Sequence, residues 1–149
     1  MLGQYNFSFD ICIKYPQLQN AIELVSKCPK VHFVLDHIGK PNISQPTSLQ
    51  IWKDELSQLA AFSNVSCKLS GMATEATTNW SIEDLEPYAK AVISAFGEDR
   101  LMYGSDWPVV ELASEYSRWF ETSVALAKDC SVDLEKLYRK NALMFYKIE

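Results

Sequence analysis

The sequence predicts an α/β fold in which about four parallel strands and five helices make half of a (β/α)8 barrel. Three observations carry this reading. Strand-like and helix-like segments alternate along the 149 residues, and alternation with helix-length crossovers implies parallel strands layered by helices. Neither Gly-x-Gly-x-x-Gly nor Gly-x-x-x-x-Gly-Lys occurs, so a doubly wound nucleotide-binding sheet lacks its fingerprint. A complete barrel needs eight strand–helix units over about 250 residues, and this chain has room for half of them.

The elements follow in the order β-α-β-α-β-α-β-α-α. The first strand, 7–13, alternates apolar with small or polar residues through Phe7, Phe9, Ile11 and Ile13. A helix over 16–27 follows, with Pro16 suited to its first turn and Leu18, Ile22 and Val25 on one face. The second strand, 31–35, is nearly continuous in apolar residues, as a strand covered on both faces should be. The helix over 48–62 carries an apolar stripe of Leu49, Trp52, Leu56, Leu59 and Ala60. The third strand, 64–69, alternates again. Ser81-Ile82-Glu83-Asp84 resembles a capping box, with Asp84 in the usual Glu or Gln position, ahead of a helix over 82–96 that Gly97 stops. A short strand over 100–104 closes on Gly104. Two helices follow, 114–129 and 132–144, the first capped by Ser114 and the second by Ser131 or Asp133. The Pro-rich loop 39–48 joins a strand to its own helix, so the chain reads as one partial barrel domain over 1–149. Met1 is followed almost at once by a buried-looking strand, from which we expect a chain truncated on its N-terminal side.

Composition narrows the partners. Hydrophobic residues at 48% and charged residues at 22% place the chain among ordinary globular proteins. A net charge of −5, with scattered lysines and arginines, disfavours nucleic acid and anionic membrane surfaces and leaves a small molecule as the expected partner. No apolar run approaches the roughly 20 residues of a membrane span, and the first residues lack a secretory pattern. Cys12, Cys28, Cys67 and Cys130 contain no Cys-x-x-Cys, against a zinc ribbon or thioredoxin motif. They read as reduced thiols of a cytoplasmic protein.

In a (β/α)-barrel the working residues stand at the C-terminal ends of strands. Here those ends are Leu35-Asp36-His37-Ile38-Gly39-Lys40-Pro41, Lys68-Leu69-Ser70-Gly71 and Tyr103-Gly104-Ser105-Asp106-Trp107-Pro108. Side chains two apart share a face of a strand. Alternation then groups Phe33, Leu35 and His37, with His32 opposite, facing helices or solvent. It also groups Ser66, Lys68 and Ser70, and Met102, Gly104 and Asp106. One face per strand delivers His37, Lys68 and Asp106 to one rim, and Gly104 leaves room beside Asp106 for a ligand or a neighbouring strand. Each residue also has a plain structural reading: His37 as a satisfied histidine, Asp36 and Asp106 as turn residues, Trp107 and Tyr103 as packing. Lys68 demands a partner in any case, because an apolar barrel wall does not tolerate an unpaired ammonium. The succession of three polar strand ends is what raises the functional reading.

The segments 34–41 (Val-Leu-Asp-His-Ile-Gly-Lys-Pro), 64–71 (Asn-Val-Ser-Cys-Lys-Leu-Ser-Gly) and 100–108 (Arg-Leu-Met-Tyr-Gly-Ser-Asp-Trp-Pro) resemble the amidohydrolase-related family. The branch they resemble is the one holding fuconolactone hydrolase and 2-pyrone-4,6-dicarboxylate lactonase. Asn141-Ala142-Leu143-Met144-Phe145-Tyr146 is similar to that family's C-terminal helix, and Phe9-Asp10-Ile11-Cys12 to its middle strand. The resemblance covers nearly the whole chain and makes it the C-terminal half of the barrel. It implies hydrolysis of a small lactone or related carboxylic substrate by activated water. Asp106 would accept the proton of the attacking water and ligate a metal, and His37 would bind metal or polarise the carbonyl. Lys68 would engage a substrate carboxylate, with Trp107 beside it. Some members use a divalent metal such as zinc and some do not. The family's first-strand His-x-His has no counterpart, since His32 and His37 are the chain's two histidines. A catalytic zinc takes three protein ligands and keeps one open position, whereas His37 and Asp106 supply two. We therefore expect an intact enzyme to be a hydrolase and this chain alone to be inactive. The rival readings are a non-catalytic half-barrel binding or scaffold module, and two copies closing a pseudo-barrel through their open edges.

Overall fold

Strands β1 (Ser8–Ile11), β2 (His32–Leu35), β3 (Val65–Leu69) and β4 (Leu101–Tyr103) form one sheet in the order β1-β2-β3-β4, and every pairing is parallel. The computed structural model describes residues 2–148. Between and after the strands lie helices α1 (Leu18–Lys27), α2 (Leu49–Ala60), α3 (Met72–Glu75), α4 (Ile82–Phe96), α5 (Tyr116–Asp129) and α6 (Asn141–Tyr146). Each crossover advances one strand in the same direction, which is barrel winding; a doubly wound sheet reverses at a switch point. The α/β half barrel expected from the alternation is what the chain forms.

Register explains the core. Ile11 aligns with Leu35, Leu35 with Cys67, and Cys67 with Leu101, and all four are buried. This row faces the helix layer, where Leu18 and Val25 of α1, Trp52, Leu56 and Leu59 of α2, and Leu85, Ala89 and Val92 of α4 are also buried. Their spacing of three, four and seven residues gives each helix one apolar stripe. Two polar ties fix the layer's lower end. Arg100 Nη1 donates to the carbonyls of Ala60 (2.8 Å), Phe62 (3.1 Å) and Val65 (3.1 Å), placing a cation where α2 ends. Buried Asn141 donates to the carbonyls of Glu98 and Leu101, both at 2.7 Å, and so joins α6 to β4.

Several details differ from the sequence reading. Helix α3 was not anticipated, because four residues are too few to show a period. The last helical stretch is two pieces, a widened π-type turn over Lys136–Lys140 that runs into α6. Asp133 caps it, accepting from the N–H of Glu135 (2.8 Å) and Lys136 (3.2 Å), and Ser131 does not. Glu115, not Ser114, precedes α5, and the Ser114 hydroxyl donates to the Glu115 carbonyl. The Ser81–Asp84 box is present, with the Ser81 N–H on Asp84 Oδ2 at 2.8 Å. Among the described residues no helix is long and apolar enough to cross a membrane, and all four cysteines are free thiols.

The outer edges of β1 and β4 have no strand partner among the described residues. Phe7 (60% exposed), Phe9 (42%) and Leu24 (41%) flank the β1 edge. Proteins blunt such edges with charge, proline or bulges, yet β1 carries one charge, Asp10, and β4 none. We therefore expect the isolated chain to self-associate. Sedimentation velocity at micromolar concentration should show species larger than a monomer. A compact monomer with a cooperative thermal transition at that concentration would show that the edges are protected in another way.

Candidate functional site

The site begins where β2 stops being a strand. His37 (φ 53°, ψ 40°) and Ile38 (φ 49°, ψ 22°), then Gly39 (φ 74°) and Lys40 (φ 46°), all take left-handed backbone. The Lys40 N–H closes the turn on the His37 carbonyl at 2.8 Å. For L-residues this conformation costs roughly 1–2 kcal/mol each, and for β-branched Ile38 it is a true outlier. Packing holds it. The Ile38 side chain is fully buried, worth about 1.5–3 kcal/mol. Trp52 donates its indole N–H to the Ile38 carbonyl at 3.0 Å, and the Tyr15 N–H reaches the Lys40 carbonyl at 3.3 Å. Gly39 lies where a β-carbon would meet Leu18 Cδ2 at 3.3 Å.

This turn corrects the alternation argument for His37. Phe33 and Leu35 face the helices, so a continuing strand would carry position 37 into the helix layer. The reversal of handedness brings His37 to the rim instead. His32 shares the opposite, open face with Asp10 and Lys68, but it is exposed at the start of β2, away from the rim.

His37 Nδ1 lies 2.9 Å from Ser70 Oγ and 3.5 Å from Asp106 Oδ1. Ser70 is fully buried. Glycines make room for this group: a β-carbon on Gly71 (φ 67°) would fall 2.5 Å from His37 Cβ, and one on Gly104 would fall 2.7 Å from Ser70 Cβ. The space at Gly104 is thus taken by Ser70. Asp106 is also left-handed (φ 57°), with its side chain 8% exposed. The Thr74 hydroxyl, on α3, donates to Asp106 Oδ2 at 3.1 Å, so the unanticipated helix positions the carboxylate. Burial pushes the His37 pKa below its ordinary value; the charges of Asp106 and Asp36 oppose this, while Lys40 and Lys68 reinforce it. Burial thus favours the neutral imidazole at this contact with Asp106.

Lys68 Nζ lies 2.7 Å from Asp10 Oδ2 and 2.7 Å from Asp36 Oδ1. The Tyr146 hydroxyl donates to Asp10 Oδ2 at 2.8 Å. Burial works against the ammonium, but hydrogen bonding with Asp10, Asp36 and Tyr146 outweighs it and holds the Lys68 pKa above the usual lysine range. The lysine read as a substrate-carboxylate ligand thus already holds two carboxylates, and it joins β1, β2, β3 and α6. Trp107 is 66% exposed on the rim, with its indole N–H on Glu111 Oε1 at 3.2 Å. His37, Lys68, Ser70, Tyr103, Asp106 and Trp107 line one open depression at the strand ends.

Two contributors escaped the sequence reading, Thr74 and Cys12, while Ser70 was grouped with Lys68 but given no role. The ligand atoms of Cys12, Asp36 and His37 lie within 4.8 Å of one another. Cys12 was legible, because it is two residues past Asp10 and so continues the open face of β1.

A family model described as Amidohydrolase matches residues 1–148. The chain belongs to the amidohydrolase family. An L-fucono-1,5-lactonase from Burkholderia ambifaria is 34% identical over 154 residues, covering 97% of this chain and 51% of the relative. An amidohydrolase from Burkholderia multivorans, solved with bound zinc, superposes with a TM-score of 0.93 at 32% identity, covering 99% of this chain and 55% of that one. A 2-pyrone-4,6-dicarboxylic acid hydrolase from Pseudomonas putida shares the fold at a TM-score of 0.73 and 19% identity. The chain spans about half the length of the curated relatives it matches.

The glycine geometry yields a test. Gly71 (φ 67°, ψ 11°) is left-handed, so an alanine there costs about 1 kcal/mol through the backbone. The collision of its β-carbon with His37 should raise the loss for Gly71→Ala by about 1–3 kcal/mol more, read by urea denaturation. A loss of only about 1 kcal/mol would show that His37 is not packed against Gly71.

Proposed function

We propose that this chain is the catalytic-rim half of a lactone-hydrolysing amidohydrolase. The observation that carries the reading is the His37–Asp106 pair, on adjoining loops at one mouth of the sheet. Asp106 is the general base: Thr74 holds one carboxylate oxygen, and the other faces the depression beside His37. It takes a proton from water as the water attacks the lactone carbonyl. His37 stands at that carbonyl. To polarise it directly, the ring needs its proton on Nε2, which the Ser70 hydroxyl permits by donating to Nδ1. Trp107 supplies an exposed apolar wall at the rim. Lys68 contributes to substrate binding by letting a substrate carboxylate or hydroxyl take the place of one of its two carboxylate partners.

The names of the similar proteins support a small sugar-type lactone as substrate, and the four free thiols suit the cytoplasm. A divalent metal suits the donors present: His37 and Asp106 give a nitrogen and an oxygen, and Cys12 and Asp36 stand beside the His37 ring. When bound, such an ion acts as a Lewis acid on the carbonyl oxygen.

Two arms test the reading. The chain alone, assayed on a panel of sugar lactones, should show no turnover above its Asp106→Asn variant, because it brings four strands to a site that eight complete. Co-expressed with the N-terminal half of the Burkholderia lactonase, it should gain lactone hydrolysis that Asp106→Asn lowers by about 10²–10⁴-fold. A soluble, assembled complex inactive on every lactone, or active regardless of Asp106, would overturn the proposal.

A further inference from the structure

We propose that residues 145–147, at the end of α6, are a strap that closes the open face of the half barrel and swings aside when further strands complete it. The inference goes beyond the hydrolytic reading and does not rest on it.

Burial on the side of the sheet away from the helices points to the strap. Phe33, Leu35 and Leu101 face the helix layer, so alternation turns Val34 and Met102 to the open face. Yet Val34 is 0% and Met102 2% exposed, and neither belongs to the core cluster beneath the helices. Their neighbours on that face are Asp10, beside Val34, and Lys68, beside Met102. These are the two residues that α6 reaches. The Tyr146 hydroxyl donates to Asp10 Oδ2 at 2.8 Å, and Lys68 Nζ stands 5.6 Å from the centre of the Tyr146 ring, within cation–π range. A ring held between β1 and β3 crosses β2, and Val34 is the residue that β2 presents there.

The segment runs from one free edge of the sheet to the other. Its root is buried Asn141, which donates to the Leu101 carbonyl of β4 at 2.7 Å. Its tip lies at β1, where Lys147 Nζ donates to the Asn6 carbonyl at 2.9 Å. Lys147 takes left-handed backbone (φ 55°, ψ 44°) and ends α6, and the Ile148 N–H closes the turn on the Leu143 carbonyl at 3.0 Å. The interior of an eight-stranded barrel is filled in layers by the side chains of its own strands. A strap across the diameter and four further strands cannot share that space, so completing the barrel displaces the strap.

Its seating suits a movable part. The tip is held by a hydroxyl on an exposed carboxylate and by an ammonium on a carbonyl, contacts that water can replace. Clefts of about 210 and 360 Å³ flank it, both lined by His32, Phe145 and Lys147. The bonds of Asn141 are buried instead, so the segment pivots at its root.

Oxidation of the full chain by dilute hydrogen peroxide, followed methionine by methionine with peptide mass spectrometry, reads the strap, because sulfoxide formation follows exposure. Met144 is 73% exposed and Met72, in the core, 0%, so they bracket Met102. In the wild type Met102 should oxidise as slowly as Met72. Tyr146→Phe keeps the ring but loses the bond to the Asp10 carboxylate, and should speed Met102 oxidation at least about tenfold while Met72 stays protected. Lys147→Gln should act in the same direction. Lys140→Gln, which removes an ion pair with Glu135, should leave Met102 unchanged. Sedimentation velocity should show Tyr146→Phe associating at a lower concentration than the wild type. Wild-type Met102 oxidising as fast as Met144, unchanged Met102 protection in both strap variants, or a parallel rise at Met72 would overturn the strap. A Tyr146→Phe chain that associates no more readily than the wild type would overturn its displacement.

Discussion

The candidate site depends on a run of four left-handed residues that the core forces on the end of β2. Without it, alternation would carry His37 into the helix layer and leave Asp36 and His37 on opposite faces. Local preference runs against the turn, which places a β-branched residue at φ 49°. Tertiary packing wins because Ile38 fills a fully buried position and because the Trp52 indole satisfies its carbonyl at 3.0 Å. The same indole lies against Tyr88 of α4, with ring centroids 5.2 Å apart, so the turn is fastened through the helix layer. Strain concentrated at a functional rim and sustained by the fold around it is the pattern such sites follow.

Much of the fold was legible because burial imposes a period. The rows Ile11–Leu35–Cys67–Leu101 and Leu18–Val25, and the stripe of α2, all follow from alternation or helical spacing. What was not legible lies where the period breaks. The handedness of residues 37–40 is written in contacts with Leu18, Leu35 and Trp52, which are distant in sequence. Thr74 and α3 occupy a single turn, too short to announce itself. Ser70 belonged to the expected face, but its role needed the closeness of His37, which alternation had brought to the rim by the wrong route. Asp106, Lys68 and His37 were found because all three follow strand ends.

Lys68 shows how one residue serves two readings. Its ion pairs with Asp10 and Asp36, together with the Tyr146 hydroxyl, tie the first strand to the last helix across the open face. Pairing of this kind satisfies charges that an apolar interior would not tolerate; its net contribution to stability is small once desolvation is counted. The network's larger consequence is electrostatic, since it sets acidic groups around the ring of His37. The mouth therefore carries the charge of a cation or water-activating site, whereas the helix-facing layer behind it is mostly apolar.

The Trp52-anchored turn, and not the strand, presents His37 to Ser70 and Asp106. The chain has two histidines, so side-chain NMR of Trp52→Phe tests it with His32 as an internal reference. Removing the indole N–H leaves the Ile38 carbonyl unsatisfied, a loss of about 1–3 kcal/mol. The His37 ring nitrogen and carbon resonances should move while those of His32 stay in place. A variant that loses stability but leaves the His37 resonances unshifted would contradict it.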